Sequence, residues 1–317
     1  MSAFLGQIMV QISVVIPVYK TAEFIPVLSE RLNNVISSLV EDYEIIFIDD
    51  GSPDNSWTLI EAVSSKYQNV FGIQLSRNFG QHSAIAAGLE ASSGDWVVVM
   101  DGDLQDLPEE IPKLFTRAIE GSQSVVARRI IRDDNFLKKL FSKLFYKAFA
   151  KLTGSTLTHE YGNFGIYSRN VINAINDMPE SQRSFGLFAE WVGFERVEVP
   201  VSRAKRESGR SSYSLFALLR LAGRSIVSYS NKPLYFVTTL GLILFIGSIA
   251  FAMALFVRFL VFGVEAEGWT SLMVALFLNS GLIIGTLGVI GIYIGSIFTE
   301  VKRRPNYIVE NETRDKL

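Results

Sequence analysis

The sequence predicts an α/β domain built on a mostly parallel β-sheet, followed by two transmembrane helices. Three observations support this prediction. Continuous apolar runs alternate with amphipathic segments in the first part of the chain, as in sheets covered by helices on both faces. Polar clusters rich in Asp follow several of the predicted strands. Two long, nearly uncharged apolar stretches then follow Lys232.

Four strands and three helices alternate in order along this first part. The strands run from Ile12 to Val18, Glu44 to Ile48, Phe71 to Leu75 and Trp96 to Met100, and the helices from Ile25 to Val40, Ser56 to Tyr67 and Gln81 to Ser92. Ligands bind at the carboxyl ends of the strands in such sheets. Three polar clusters fall there: Pro17-Val18-Tyr19, Asp49-Asp50-Gly51-Ser52 and the stretch from Asp101 to Asp106.

The stretch "DGDLQD", from Asp101 to Asp106, places three carboxylates and an amide within six residues. Such a group could cap a helix, serve as acid and base, or hold a divalent cation, which would offset the repulsion between the acids. Capping needs only one Asp. An Asp-x-Asp pair with a nearby amide suits a hard cation shared with a phosphate. Its place beside a second Asp-rich strand end favours the cation.

The amino-acid composition argues against several classes of function. The 317 residues are 49% hydrophobic and 20% charged, so the chain is more apolar than a typical soluble protein. A net charge of −2 gives no reason to expect nucleic-acid binding. The absence of Cys excludes disulfides, a Cys nucleophile and Cys-ligated metals, and fits a domain in a reducing cytoplasm. With only His82 and His159, a His-rich metal site is not expected.

A basic, aromatic segment begins near Asn135. "NFLKKLFSKLFYKAFAKLTG" combines five lysines with an apolar face and contains no acid, which is typical of a helix lying on an anionic membrane. The alternative is an ordinary amphipathic helix packed on the domain. The stretch from Tyr213 to Tyr229 is a second candidate for the membrane interface.

Two spans follow, from Pro233 to Phe262 and from Leu272 to Phe298, each longer than the roughly 20 residues that cross a bilayer core. Basic residues flank both outer ends, whereas the short connection "GVEAEGW" contains two Glu and no base. Positive flanks stay inside, so both termini and the α/β domain are expected in the cytoplasm, on the inner (plasma) membrane. The predicted boundaries are 1–134 and 135–232 for the two parts of the α/β domain, 233–300 for the helices and 301–317 for a tail.

Five motifs occur in a characteristic order: "VVIPVYK", "IIFIDDGSPDNS", "LSRNFGQHSAIAAGL", "VVVMDGDLQDLPEEIPKL" and "RESGRSSYS". Together they resemble the polyisoprenyl-phosphate glycosyltransferases of glycosyltransferase family 2, a group related to dolichol-phosphate mannose synthase. The two spans suit its bactoprenol glucosyltransferase-like branch. The resemblance implies a glycosyltransferase-A (Rossmann-like) fold, Mg²⁺ or Mn²⁺, and transfer of a hexose from a UDP-sugar such as UDP-glucose to undecaprenyl phosphate. It also implies inversion at the anomeric carbon and a homo-oligomer, for which a tetramer is one option.

The resemblance also assigns roles to residues. It implies nucleotide-sugar binding by Pro17, Tyr19, Asp50, Arg77 and Asp101. A metal and the diphosphate are expected at Asp101, Asp103 and Gln105. Asp103, Arg129 and Arg206 are expected to be catalytic, with Arg128, Arg132 and Arg203 as alternatives for the two arginines. Asp106 either caps the next helix or lies near the acceptor.

Three positions depart from the family pattern. Thr21 stands where relatives have Glu, with Glu23 as the candidate replacement, and Ser212 stands where they have Lys, with Arg210 as the replacement. Asn163 takes the place of an Asp and is not expected to act as a base. A phosphate monoester acceptor is already ionised near pH 7, so it needs alignment more than a base.

Two rival functions fit the sequence less well. A processive polysaccharide synthase would carry a Gln-x-x-Arg-Trp element, which "QRSF" from Gln182 does not match. A non-catalytic, membrane-anchored nucleotide-binding protein would not need the intact set of Asp101, Asp103 and Gln105.

Overall fold

The computed structural model describes residues 12–129, 161–180, 183–204, 230–262 and 268–314. These residues fall into two compact units. The first contains an eight-stranded sheet and is formed by the described residues up to 204 together with 304–314. The second contains two long helices and is formed by 230–262 and 268–303. The predicted interfacial helices beginning near Asn135 and Tyr213 lie outside the described residues.

The first unit begins with alternating strands and helices, which confirms the α/β prediction. In order these are β1 (Ile12–Val18), α1 (Ile25–Ser37), β2 (Tyr43–Asp49), α2 (Ser56–Lys66), β3 (Val70–Leu75), α3 (Gln81–Ala91) and β4 (Trp96–Val99). Every residue of β1 is buried, because helices cover both faces of the sheet.

Helices α1 and α3 show how the two faces are covered. The buried side chains Ile25, Leu28, Leu32 and Ile36 recur at helical spacing on α1, which therefore presents an apolar stripe to the sheet. Helix α3 packs more closely, because a Cβ at Gly88 would lie 2.4 Å from Cγ1 of Val15. The absence of a side chain at Gly88 thus lets α3 approach the centre of the sheet closely.

The remaining elements of this unit are α4 (Ile111–Ile119), β5 (Ser124–Arg129), β6 (Tyr161–Ser168), α5 (Arg169–Asn176), α6 (Phe185–Trp191), β7 (Arg196–Val201) and β8 (Val309–Glu312). The strand order is β7-β5-β6-β4-β1-β2-β3-β8. The sheet is mixed, because β6 runs antiparallel to β4 and β5, and β8 runs antiparallel to β3. The predicted parallel arrangement therefore holds for β3, β2, β1 and β4 but not for these flanking strands.

The second unit contains α7 (Lys232–Phe262) and α8 (Trp269–Val301). Their segments Lys232–Phe251 and Ala275–Val301 have mean hydropathies of 2.2 and 2.0 and are long and apolar enough to cross a membrane. Neither segment is buried inside the structure, unlike the core helix of a soluble protein. The Tyr293 hydroxyl donates to the carbonyl oxygen of Ser230 at 2.7 Å, so the two helices form an antiparallel hairpin.

Candidate active site

The polar clusters at the ends of β1 and β4 lie next to each other, at the point where the strand order of the sheet reverses direction. Strands β2 and β3 extend to one side of β1, and β4 lies on the other. A crevice forms at the carboxyl ends of strands at such a point. The Met100 amide donates to the Val15 carbonyl at 3.2 Å, and a Cβ at Gly102 would lie 3.2 Å from the Pro17 carbonyl oxygen. The stretch after β4 is therefore held against the end of β1.

The turn after Asp101 has a tight backbone geometry. Leu104 has φ +56°, in the left-handed region that residues other than Gly rarely adopt. Asp103 Oδ1 accepts from the Gln105 backbone amide at 3.1 Å, and Asp103 Oδ2 accepts from the Gln105 side-chain amide. Gln105 is itself buried. These bonds fix the orientation of the Asp103 carboxylate.

Asp101 is held by two side chains that the sequence analysis did not assign to the site. Its Oδ1 accepts from Nε2 of Gln81 at 2.7 Å and from Nδ2 of Asn163 at 3.4 Å. Gln81 is the first residue of α3, and Asn163 lies on β6. The motif "LSRNFGQ" contains Gln81, but nothing in that motif specifies a contact with Asp101.

Asp50, at the end of β2, organises the loop from Ser76 to Gly80. Its two carboxylate oxygens accept from the backbone amides of Phe79 at 2.7 Å and Gly80 at 2.9 Å. Burial raises the pKa of Asp50, although these two bonds oppose the shift. Gly51 has φ +62°, and a Cβ there would lie 2.4 Å from the Arg77 carbonyl carbon, so only Gly allows this approach. Asp50 and the loop that contains Arg77 are therefore packed against each other.

The chain leaves β1 through Tyr19 and Lys20. Tyr19 is 43% exposed at the strand end, and the Lys20 ammonium lies 5.2 Å from the centre of its ring. The Lys20 backbone amide donates to the Ser52 hydroxyl at 3.2 Å, which joins this loop to the one after β2. The predicted nucleotide-binding residues Pro17, Tyr19 and Asp50 thus lie on adjacent strand ends. Thr21 has a buried hydroxyl with no hydrogen-bond partner.

Asp106 does not cap the following helical turn. The turn Pro108–Glu110 begins after Leu107 and has no side-chain cap. Asp106 is instead 2% exposed, and its Oδ1 lies 4.0 Å from Nε of Arg203. Next to this pair, the Ala204 amide donates to the Gln105 carbonyl at 3.1 Å. The segment after β7 is thereby joined to the end of the "DGDLQD" stretch.

Of the two predicted catalytic arginines, Arg129 lies within the described residues and Arg206 does not. Arg129 ends β5, where its backbone is in register with Val201 of β7. Arg203 follows β7 two residues later, at the same edge of the sheet as the Gln105-Asp106 segment. Arg206, Arg132, Arg210 and Ser212 lie outside the described residues.

The chemistry of the donor atoms fits a hard divalent cation at Asp101, Asp103 and Gln105. Carboxylate and amide oxygens are the ligands that Mg²⁺ and Mn²⁺ prefer. Within the described ranges, no cluster of three or more His, Cys, Asp or Glu side chains could hold a metal ion. A cation bound to these two carboxylates would therefore take its remaining ligands from amides, water or a substrate phosphate.

Comparison with known proteins identifies the family to which the chain belongs. The model of the family described as "Glycosyl transferase family 2" matches residues 13–175, just over half of the chain. The match runs from β1 into α5 and includes the ends of β1, β2 and β4. The chain belongs to glycosyltransferase family 2, whose members are enzymes, and its mixed sheet is the glycosyltransferase-A fold.

Several solved structures are similar to this chain. Glucosyl-3-phosphoglycerate synthase from Mycobacterium tuberculosis, in complex with phosphoglyceric acid, is 22% identical with a TM-score of 0.48, over 70% of this chain and 80% of that one. The same enzyme with Mn²⁺, UDP-glucose and phosphoglyceric acid is 23% identical with a TM-score of 0.47, over 69% and 78%. Its complex with Mg²⁺ and UDP is 21% identical with a TM-score of 0.48, over 69% and 77%.

Proposed function

We propose that the chain is an inverting hexosyltransferase that moves glucose from UDP-glucose to undecaprenyl phosphate at the cytoplasmic face of the plasma membrane. One observation carries the proposal. A family 2 domain, in which Asp101 and Asp103 follow β4 at the crevice, occurs in the same chain as two apolar helices long enough to cross a bilayer. An acceptor that resides in the membrane accounts for both features.

The order of the elements along the chain supports the proposal that both ends of the hairpin lie on the same side of the membrane. Strand β8 follows α8, yet it pairs with β3, which precedes α7. If α7 and α8 cross the bilayer, the chain must therefore return to the side from which it left. Lys232 at the start and Lys302, Arg303 and Arg304 at the end favour the cytoplasmic side.

In the proposed reaction the residues at the strand ends hold the donor. Tyr19 and Pro17 border the nucleoside, and Asp50 positions the loop that carries Arg77. Asp101, Asp103 and Gln105 would hold Mg²⁺ or Mn²⁺. The bound ion supplies charge neutralisation for the leaving diphosphate.

The acceptor phosphate needs alignment with the anomeric carbon. Arg129 and Arg206 would orient it, since a guanidinium can bind a phosphate through two parallel hydrogen bonds. Asn163, which contacts Asp101, is a neutral amide and cannot take a proton at neutral pH. A phosphate acceptor fits such a site better than a sugar hydroxyl, because a hydroxyl requires a base.

Small residues on α8 also support a homo-oligomer. Gly281, Gly285, Gly288 and Gly295 lie on this helix, and among the described residues a Cβ at any of them would meet nothing within 4 Å beyond the adjoining backbone of the helix itself. Within a bilayer, such positions let helices approach closely, so a second copy of the chain could pack there. We include a homo-oligomer, such as a tetramer, in the proposal.

Transfer of labelled glucose tests the function. The full chain in membranes is supplied with UDP-glucose, Mg²⁺ and undecaprenyl phosphate, and the lipid product is measured by mass. We expect addition of one hexose per lipid, loss of product with EDTA, and no product with undecaprenol, which lacks the phosphate. A polymer would indicate a processive synthase. Absence of product with every donor in a panel of nucleoside diphosphate sugars would show that the proposal is wrong.

A further inference from the structure

The segment that follows the membrane hairpin forms part of the first unit. We call residues 307–314 the C-terminal strap. Its strand β8 runs antiparallel to β3, with Glu312 opposite Ile73 and Asn311 opposite Gln74. The Asn311 side-chain amide donates to Gln74 Oε1 at 2.7 Å. The strap therefore covers the edge of the sheet that β3 would otherwise expose.

The far end of the strap is anchored at the start of β3. The Thr313 amide donates to the Gly72 carbonyl at 3.0 Å, and the Gly72 amide donates to the Thr313 hydroxyl at 2.8 Å. Arg314 extends further, where its guanidinium lies 3.1 Å from Glu44 Oε2 and 4.2 Å from the centre of the Phe71 ring. Glu44 is buried, so this end of the strap is held by backbone, hydroxyl and charge together.

The near end of the strap reaches past β3 into the loop beside Asp50. The Ser76 amide donates to the Ile308 carbonyl at 2.9 Å. The Tyr307 hydroxyl donates to the Glu90 carboxylate on α3, and burial together with this carboxylate raises the pKa of Tyr307. The loop from Ser76 to Gly80 is thus held at both ends, by the strap at Ser76 and by Asp50 at Phe79 and Gly80.

We propose that the C-terminal strap is a positioning element for the nucleotide-sugar donor. It fixes the first residue of the loop that carries Arg77, while Asp50 fixes the last two. Donor affinity then depends on a segment more than 200 residues away in sequence, with a separation of 241 between Gly72 and Thr313. The inference rests on the donor half of the proposed function and does not depend on the acceptor.

Removal of the strap gives the first test. A chain ending at Asn306 is compared with one ending at Arg314, which loses only the last three residues. The dissociation constant for UDP-glucose is measured with Mg²⁺ and without any lipid acceptor, and amide hydrogen exchange is followed at Ser76–Gly80. We expect about tenfold weaker binding and faster exchange at Ser76 in the shorter chain, and no change in the longer one.

A pair of point variants separates positioning from stability if the shorter chain does not fold. Tyr307→Phe and Thr313→Val each remove one side-chain hydrogen bond of the strap, at its near and far ends respectively. We expect Tyr307→Phe to weaken UDP-glucose binding about threefold and to speed exchange at Ser76. Thr313→Val should lower the melting temperature and affect the dissociation constant less than Tyr307→Phe, because the bond from the Ser76 amide to the Ile308 carbonyl at the near end remains. If both variants change only the melting temperature, the strap serves stability alone and the inference is wrong.

These measurements also separate this inference from the proposed function. UDP-glucose binding without a lipid product would overturn the acceptor assignment and leave the strap test intact. If the full-length chain does not bind UDP-glucose, the donor assignment is wrong, and with it the donor role of the strap. Unchanged exchange at Ser76 in both the shortened chain and Tyr307→Phe contradicts the inference whatever the donor is.

Discussion

The two edges of the same sheet both gather carboxylates, but they hold them differently. At the amino edge, Glu44 Oε1 accepts from the hydroxyls of Ser13 and Ser93, and its Oε2 pairs with Arg314. At the carboxyl edge, Asp50 and Asp101 are held by backbone and side-chain amides. Glu44 thus has a cation from the protein itself among its partners, whereas the hydrogen bonds described above for Asp50 and Asp101 come from neutral amides.

This difference indicates where a ligand's charge is needed. A buried carboxylate paired with Arg has its charge balanced within the protein. Asp101 and Asp103 lie two residues apart, and a bound cation would offset the repulsion between two such carboxylates. A cavity of about 300 Å³ lies at the amino edge, lined by Asp42, Glu44, Asn69 and Arg314 among others. The Glu44–Arg314 ion pair lies in its wall, so we place the chemistry at the carboxyl edge instead.

The largest effect should come from Asp103→Asn. The change removes one of the two carboxylates expected to hold the cation, while the amide can still bond to Gln105. We expect transfer to fall by about a thousandfold, equivalent to roughly 4 kcal/mol of transition-state stabilisation, with the melting temperature in detergent nearly unchanged. Turnover is measured with labelled UDP-glucose. Full activity would mean that the cation is not held at Asp103.

The matched change at the amino edge is Glu44→Gln. It leaves Arg314 without its charged partner and weakens the bonds from Ser13 and Ser93, so we expect a loss of about 2 kcal/mol of stability. Thermal unfolding in detergent measures this loss. The KM for UDP-glucose should rise only modestly, because Ser76 keeps its bond to Ile308. A variant that unfolds normally but no longer transfers sugar would contradict the division between the two edges.

Asp106 provides an intermediate case, since it lies at the carboxyl edge but has an Arg partner. Asp106→Asn should weaken the contact that holds Arg203, which precedes the predicted catalytic Arg206 by three residues in the sequence. We expect about a fivefold rise in the KM for undecaprenyl phosphate and little change in the KM for UDP-glucose. Arg117→Gln, which breaks an exposed pair with Glu120, is the control and should change neither constant. Equal changes in both constants would show that the Asp106–Arg203 pair does not act on the acceptor side.

The smallest effect should be a dependence of stability on pH through His82. Burial lowers the pKa of His82 below 6.5, and its Nδ1 accepts from the Phe185 amide at 3.4 Å, which requires the neutral ring. Between the lowered pKa and 6.5 the unfolded chain binds the additional proton, so stability falls as the pH drops through this window.

We expect a lower melting temperature at pH 5 than at pH 7, measured by thermal unfolding. His82→Gln keeps an acceptor and should show a flatter profile. The pKa values of Asp49 and Asp50 are raised by burial, so their effect has the opposite sign: stability rises as the pH falls through the raised pKa values, and this rise is complete below the ordinary value of 3.8. An identical profile in the variant would mean that His82 is not the group that titrates.

The sequence alone predicted the four parallel strands at the centre of the sheet. It also predicted that Asp101, Asp103 and Gln105 follow the last of these strands, at its carboxyl end. Buried parallel strands have an apolar pattern, and their carboxyl ends must meet at one edge. The contacts of Gln81 and Asn163 with Asp101 were not predicted, because they depend on how α3 and β6 lie beside β4. Strand β6 was not among the predicted strands, and an apolar pattern does not specify whether a strand runs parallel or antiparallel.

Strand β8 was missed for a related reason. Val309–Glu312 is short and contains two Glu in four residues, so it lacks the apolar pattern of a buried strand. Edge strands are often polar, and their place depends on partners far away in sequence. The segment 301–317, predicted as a tail, therefore contains a strand that only the structure could assign.

The pairing of β8 with β3 also determines an order of events during synthesis. Chains emerge from the ribosome with the amino-terminal part first, so β1 to β4 are made long before β8. Until α7 and α8 have been synthesised, the outer edge of β3 has no strand to cover it, and exposed edges are prone to pair with other chains. A nascent chain that stalls before β8 has been synthesised keeps this edge open. The sheet can therefore be completed only after the hairpin has been synthesised, and the outer edge of β3 stays uncovered until then.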